Sequence, residues 1–81
     1  MIVRVRLGAG LSRHAAAPVL GCELPDGATV EALLEHLRAT QPELAPALRS
    51  ALPVVAGAHA DRARRLAHGD EVALLIPVAG G

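Results

Sequence analysis

The first seven residues alternate. Val3, Val5 and Leu7 are separated by Arg4 and Arg6, the period-two pattern of a strand with one buried and one wet face. Residues 1–7 therefore predict a first strand. Gly8-Ala9-Gly10 breaks it, and residues 11–17 read as loop. Residues 18–24 predict a second strand, with Pro18 at its start, where a missing N–H is tolerated. Pro25-Asp26-Gly27-Ala28 carries turn chemistry.

The period then changes. Val30, Leu33, Leu34 and Leu37 fall at i, i+3, i+4 and i+7, an apolar stripe on one helix face. Thr29 stands where a helix N-cap belongs. Glu31 in the first turn and Arg38 near the last both suit the helix dipole. Thr40-Gln41-Pro42 ends the helix, because a residue before proline is pushed out of helical space. Residues 42–50 predict a second short helical turn carrying Leu44 and Leu48, with Pro46 inside it. A third strand is expected over 53–56, and a turn or very short strand over 57–61. Residues 62–67 form a connection with one inward residue, Leu66. His68-Gly69-Asp70 is a tight turn, and the last strand runs over 71–78.

That last strand differs from the first. Val72, Leu74 and Ile76 lie on one face; Ala73, Leu75 and Pro77 lie on the other. Both faces are apolar, as expected of a central strand. The element order predicts a single α+β domain over residues 1–81: a mixed sheet packed on one main helix, with an extended tail over 77–81. One helix cannot cover both faces of such a sheet. Part of the second face is therefore expected to be an exposed apolar patch, a common mark of a partner surface.

Composition narrows the function. The chain is 52% hydrophobic, with no Phe, Tyr or Trp. Its core must be built from Leu, Val, Ile and Ala, at about 1.5–3 kcal/mol per large aliphatic side chain buried. Formal charge is zero, and no aromatic is available to stack on a base, so nucleic-acid binding is disfavoured. Cys22 is the only cysteine, which rules out an intramolecular disulfide and fits a reducing compartment. No charged-then-apolar leader and no run of roughly 18–20 apolar residues is present, so no membrane association is expected and the cytoplasm is the expected place. All eight basic residues are Arg, so no side-chain amine here can accept an isopeptide bond.

The remaining signal is at the end of the sequence. An apolar strand runs through Pro77, Val78 and Ala79 into Gly80-Gly81. These residues have no polar side chains to solvate them, and the last two have no Cβ. Glycine lets another backbone or an active site come close, so the pattern points to a terminus that is threaded into another molecule. Pro77 stiffens the tail by fixing its φ near −65°.

Three segments resemble the small sulfur-carrier family that includes MoaD, the small subunit of molybdopterin synthase, and the thiamine-pathway carrier ThiS. They are the opening MIVRVRL, the helix start DGATVEALLEHL, and the ending GDEVALLIPVAGG. In the middle segment Gly27, Thr29, Val30, Leu33, Leu34 and Leu37 fit the family pattern. In the last, Gly69, Asp70, Glu71, Val72, Pro77, Gly80 and Gly81 do. The resemblance implies the ubiquitin-like β-grasp fold. It also implies that the Gly81 carboxylate is the reactive group, with Gly80 beside it and Leu75, Pro77, Val78 and Ala79 contacting partners. A ubiquitin-activating-type adenylyltransferase would convert that carboxylate to an acyl adenylate with ATP, which the partner and not this chain binds. Sulfur then replaces one oxygen, and a sulfur-accepting enzyme, such as the molybdopterin synthase large subunit, consumes the thiocarboxylate. An α-carboxyl with a pKa near 3.3–3.7 is an unreactive anion at neutral pH, and nothing in this chain supplies its activation. If extended, residues 77–81 reach on the order of 17 Å at about 3.4 Å each, enough to cross a narrow tunnel.

This chain has one proline before its final residues where the molybdopterin-type tail usually has two. It also has Ala56-Gly57-Ala58 where an Asn-Gly turn is common, and Leu7-Gly8-Ala9 where aromatics are common. Its length and the segment 42–50 favour the molybdopterin type over the thiamine type. Carriers for another sulfur acceptor (thiazole, cysteine, tRNA or a secondary metabolite) and a ubiquitin-like protein modifier are the alternatives, with a plain interaction module beyond them. Elsewhere the sequence offers little chemistry. Cys22 reads as a small buried hydrophobe. His14, His36, His59 and His68 lack ligand spacing. Arg62, Arg64 and Arg65 read as a solvated face, Asp70 as a turn residue. No bound cofactor or metal is expected.

Overall fold

The computed structural model describes residues 1–8 and 19–75. Strands β1 (Ile2–Leu7) and β2 (Val19–Glu23) pair antiparallel, with Val3 opposite Cys22 and Val5 opposite Leu20. Helix α1 (Val30–Thr40) follows, then a 3-10 turn (Pro42–Leu44) and the one-turn helix α2 (Ala45–Leu48). Strand β3 (Leu52–Val55), the two-residue β4 (Ala58–His59) and β5 (Glu71–Leu75) complete the described chain. The sheet order is β2-β1-β5-β3-β4. β5 pairs parallel with β1 and antiparallel with β3, so the sheet is mixed and β5 is at its centre. This is the expected architecture, one main helix laid across a mixed sheet.

Alternation decides what is buried. Val3, Val5 and Leu7 of β1 and Val72 and Leu74 of β5 face α1 and are at most 5% exposed. The helix stripe Val30, Leu33, Leu34 and Leu37 meets them and is fully buried. Leu44 and Leu48, from the 3-10 turn and α2, close the core from the side. Cys22 joins from β2 and Leu66 from the connection before β5, as expected. With no aromatic ring available, many small aliphatic contacts fill the interior, each gaining about 0.1–0.2 kcal/mol of dispersion per atom pair.

The ends of α1 are well satisfied. Thr29 caps it, its Oγ1 accepting from the Ala32 N–H at 3.2 Å. Two further orphan donors are met from a distance. Val30 N–H donates to the Arg64 carbonyl and Glu31 N–H to the Arg62 carbonyl, both at 2.9 Å. The segment between β4 and β5 thus wraps the helix start, and Arg62 ion-pairs with Glu31 at 2.9 Å. At the other end Gln41 leaves helical space at φ −130°, immediately before Pro42. Pro46 is in the first turn of α2, where no backbone donor is needed. It starts that helix and does not break it.

Three strands differ in their bounds from the sequence expectation. β1 starts one residue later, at Ile2, and β2 spans Val19–Glu23 within the expected 18–24. β3 runs over Leu52–Val55 where 53–56 was expected. The last shift has a local cause. Ala56 has φ +53° and Gly57 φ +78°, so Ala56 belongs to the turn joining β3 to β4. Positive φ at both central positions is the requirement of a type I′ hairpin turn. Alanine pays a steric cost there, of roughly 1–2 kcal/mol for the left-handed region. Replacing Ala56→Asn is expected to stabilise the fold by about 0.5–1 kcal/mol and to raise Tm by a few degrees. Paired urea and thermal melts of the two proteins check this; an unchanged midpoint would refute the strain.

Candidate functional site

The site begins where β5 ends. Leu75 is the last described residue of that strand, and Leu52 of β3 stands opposite it. On the other side the Gly8 N–H donates to the Leu74 carbonyl at 2.9 Å. Hydrogen bonds from two neighbours therefore hold β5 to its final described residues. Pro77, Val78, Ala79, Gly80 and Gly81, the other residues expected at the site, lie outside the described residues, as does Ile76. Leu75 is 45% exposed, on the sheet face away from α1.

That open face follows from the register. Arg4 is paired with Gly21 on one side and Glu71 on the other. Arg6 lies in a row with Val19, Ala73 and Val54, and His59 extends the row to β4. Leu75 and Leu52 form the next row. The large hydrophobic residues exposed among the described residues are Ile2, Val19, Leu52 and Leu75, and all four are on this face. The expected apolar second face is present, with Leu75 and Leu52 at the end from which the tail departs. Arg6 Nε bonds Glu71 Oε1 at 2.9 Å, with both side chains largely exposed, so the pair contributes at most about 1 kcal/mol. It splits the apolar face into the Leu75–Leu52 end and the Ile2 end.

Sequence reasoning named Leu75 and missed its companions. Leu52 fell outside the expected bounds of β3, and Val19 and Ile2 lay within the expected strands 18–24 and 1–7 without being assigned to the open face. The signal available was pairing: once β5 is central, whatever stands opposite its second face shares that face.

The other candidates take structural places. Cys22 faces the core at 4% exposure, and desolvation pushes its thiol above the ordinary value. His68 accepts the Ile2 N–H on Nδ1 at 3.0 Å, which ties the start of β1 to the turn before β5. Asp70 accepts from the Ala67 N–H at 2.8 Å, a turn role as expected. Arg64 and Arg65 are exposed. Among the described residues no three His, Cys, Asp or Glu side chains gather as a metal site. No charged or polar side chain is buried among them, and no described helix is long and apolar enough to cross a membrane.

Two clefts of about 590 Å³ each lie on the side of the molecule. One is lined by residues 49–53 and 59–63, the other by Arg38, Ala45, Pro46 and Arg49. The first is lined by Ser50, His59 and Asp61 among others, but no side-chain hydrogen bond joins any two of these three, and the Asp61 carboxylate accepts from the Ala63 N–H. What the described structure does chemically is present a strand end beside an apolar surface. Because the Cys22 thiol is buried and raised, its alkylation by iodoacetamide at pH 8 should run at least about 100-fold slower in the folded chain than in urea. Comparable rates in both would contradict the burial.

Known structures extend the picture. SAMP1 from Haloferax volcanii superposes with a TM-score of 0.86 at 26% identity, covering 100% of both chains. A Pyrococcus furiosus structure named for molybdopterin converting factor subunit 1 gives 0.85 at 24% identity, over 95% of this chain and 98% of that one. The complex of subunits 1 and 2 of molybdopterin-converting factor from Helicobacter pylori gives 0.73 at 21% identity over 100% of each chain. These likenesses identify the fold as the ubiquitin-like β-grasp. No curated protein matches the sequence. The ThiS family matches it over residues 13–81, which takes in the helix, the central strand and the Gly-Gly ending, and the chain belongs to that family.

Proposed function

We propose that this chain is a sulfur carrier whose Gly81 carboxylate is activated and converted to a thiocarboxylate by partner enzymes, and that it serves as the small subunit of a molybdopterin synthase. The carrying observation is the anchored central strand: β5 is held by β1 and β3 up to Leu75, beside an apolar face, and the sequence continues from it into Pro77 and Gly80-Gly81. Membership of the ThiS family supports the sulfur-carrier part of this reading.

The chemistry divides between this chain and its partners. A carboxylate oxygen attacks the α-phosphorus of ATP, and pyrophosphate leaves with the broken P–O bond. Hydrosulfide supplied by a partner then attacks the acyl carbon, a C–S bond forms as AMP departs with the oxygen, and loss of the S–H proton leaves the thiocarboxylate. The body of the chain supplies an address. Leu75 and Leu52 present apolar area for docking, at about 25 cal/mol per Å² removed from water, and the glycines pass where a Cβ would obstruct. The sulfur-accepting partner corresponds to the second subunit in the Helicobacter pylori complex.

The ubiquitin-like modifier reading has an observation of its own, the likeness to SAMP1, a small archaeal modifier protein. The absence of lysine bears on it. Side-chain acceptors would have to lie on other proteins, so each conjugate would carry copies attached singly and not linked through their own side chains.

Incubation with ATP, a sulfur source and the cognate activating enzyme is expected to give the oxygen-to-sulfur mass shift on the intact chain. No shift, with Gly81 present, would sink the carrier reading. Lysine-linked adducts in cell extract, with no thiocarboxylate, would favour the modifier. Leu75→Arg and Leu52→Arg each place a charge on an exposed site, so Tm should move little. Docking should nevertheless weaken, raising the KM for the carrier by about tenfold, or roughly 1.4 kcal/mol. Unchanged KM in both variants would remove the open face from the interaction.

A further inference from the structure

β1 ends against the root of the tail, and the residue at that contact is Gly8. Its N–H donates to the Leu74 carbonyl at 2.9 Å, one residue past the last registered pair of the ladder, Leu7 with Leu74. A Cβ built on Gly8 would stand 3.0 Å from that same oxygen and 3.3 Å from Leu75 Cδ2. Both distances are shorter than ordinary contact, so the carbonyl or the side chain would have to give by a few tenths of an ångström. At Gly21, Gly27, Gly57 and Gly69 a Cβ would meet nothing within 4 Å. Three of those four are in turns at positive φ, and Gly8 is not among the positive-φ glycines. What Gly8 supplies is therefore room, and the room is taken by the last carbonyl and the last side chain before the tail.

We propose that Gly8 is a positioning residue for the reactive terminus, its missing Cβ setting the direction in which β5 delivers the tail. The proposal rests on the carrier reading above. Leu75 has Gly8 on one side and Leu52 on the other, so the last described residue before the tail is held from both sides. The effect grows with distance. A shift of about 0.3 Å across one residue of about 3.4 Å turns the strand by roughly 5°, and an extended tail of about 17–20 Å carries its end off by on the order of 1–2 Å. A displacement of about 1 Å at a reacting centre can cost up to roughly 100-fold in rate.

The test separates positioning from folding because the carrier is the substrate of its activating enzyme. A folding defect lowers the concentration of competent carrier and raises apparent KM. A misdirected tail lowers kcat even at saturating carrier. Gly8→Ala is expected to lower the kcat of adenylation by about tenfold with KM within about twofold of the parent. In the Leu75→Ala background the same change should cost measurably less than in the parent, because the 3.3 Å contact with Leu75 Cδ2 is gone while the 3.0 Å contact with the Leu74 carbonyl stays. A kcat unchanged by Gly8→Ala overturns the proposal, and so does an equal loss in both backgrounds. If Gly8→Ala and the double variant both fail to melt cooperatively, the glycine serves the fold alone and the proposal falls. Methyl NMR reads the same contact without any enzyme. Gly8→Ala should shift the Leu75 methyl signals and leave those of Leu33 and Leu37 in place. If the unaltered chain is never adenylated, the carrier reading fails, and unmoved Leu75 methyls would independently overturn the placement of Gly8.

Discussion

The whole arrangement depends on β5 being pinned at the middle of the sheet. Its backbone is paired on both sides, parallel to β1 and antiparallel to β3, and Val72 and Leu74 are fully buried against α1. Strand pairing and core packing thus act on the same five residues. A central strand is among the last parts of a domain to open. Placing the tail directly after it gives the terminus the most stable origin the fold can offer. Had the tail followed β4, a two-residue edge strand, its origin would have been among the least stable.

One helix and no aromatic residues set a limit on what can be covered. Leu33, Leu34 and Leu37 shield one face of the sheet, and the other is left to solvent or to partners. That face is guarded against indiscriminate association. Arg4, Arg6, Glu71 and Glu23 interrupt it, and its edges are β2, with Gly21 and Glu23 facing out, and the very short β4. Short edges and charges are standard defences against strand addition. Two of its four exposed large hydrophobic residues, Leu75 and Leu52, stand at the end where a partner must engage if it is to receive the tail.

How much of this was legible follows the nature of each signal. The stripe on α1 and the two-faced β5 are patterns of side-chain type, so the sequence carries them openly. The same holds for the Thr29 cap and the Pro42 stop. What was hidden depends on backbone groups or on distant pairing. The Arg62 and Arg64 carbonyls that satisfy the start of α1 have no residue signature, because any residue offers a carbonyl. The residues read there as a basic cluster matter first through their main chain. The bond from Ile2 to His68 joins the start of β1 to the turn before β5, 66 positions apart, and has no local trace. Ala56 in the left-handed region is a violation of local preference, which is why β3 was placed one residue late. Gly8 looked like a strand breaker because its neighbour Leu75 is 67 positions away. The open-face companions of Leu75 were hidden for the same reason, since register is a property of the sheet and not of either strand alone.

An anchored root also changes the energetics of delivery. Fixing the backbone of one residue costs about 1–2 kcal/mol. Every residue of β5 through Leu75 is already ordered in the free chain, so a partner that binds the tail bears that cost only for residues beyond it. In the carrier reading, a partner docked on Leu75 and Leu52 already holds the root from which the tail continues. The second contact then becomes intramolecular, with an effective concentration set by a few residues of reach. No charged or polar side chain is buried among the described residues, and in the carrier reading the activating chemistry comes from the partners. In that reading the contribution of this chain is geometric, and it rests on the end of β5, which Gly8 and Leu52 bracket.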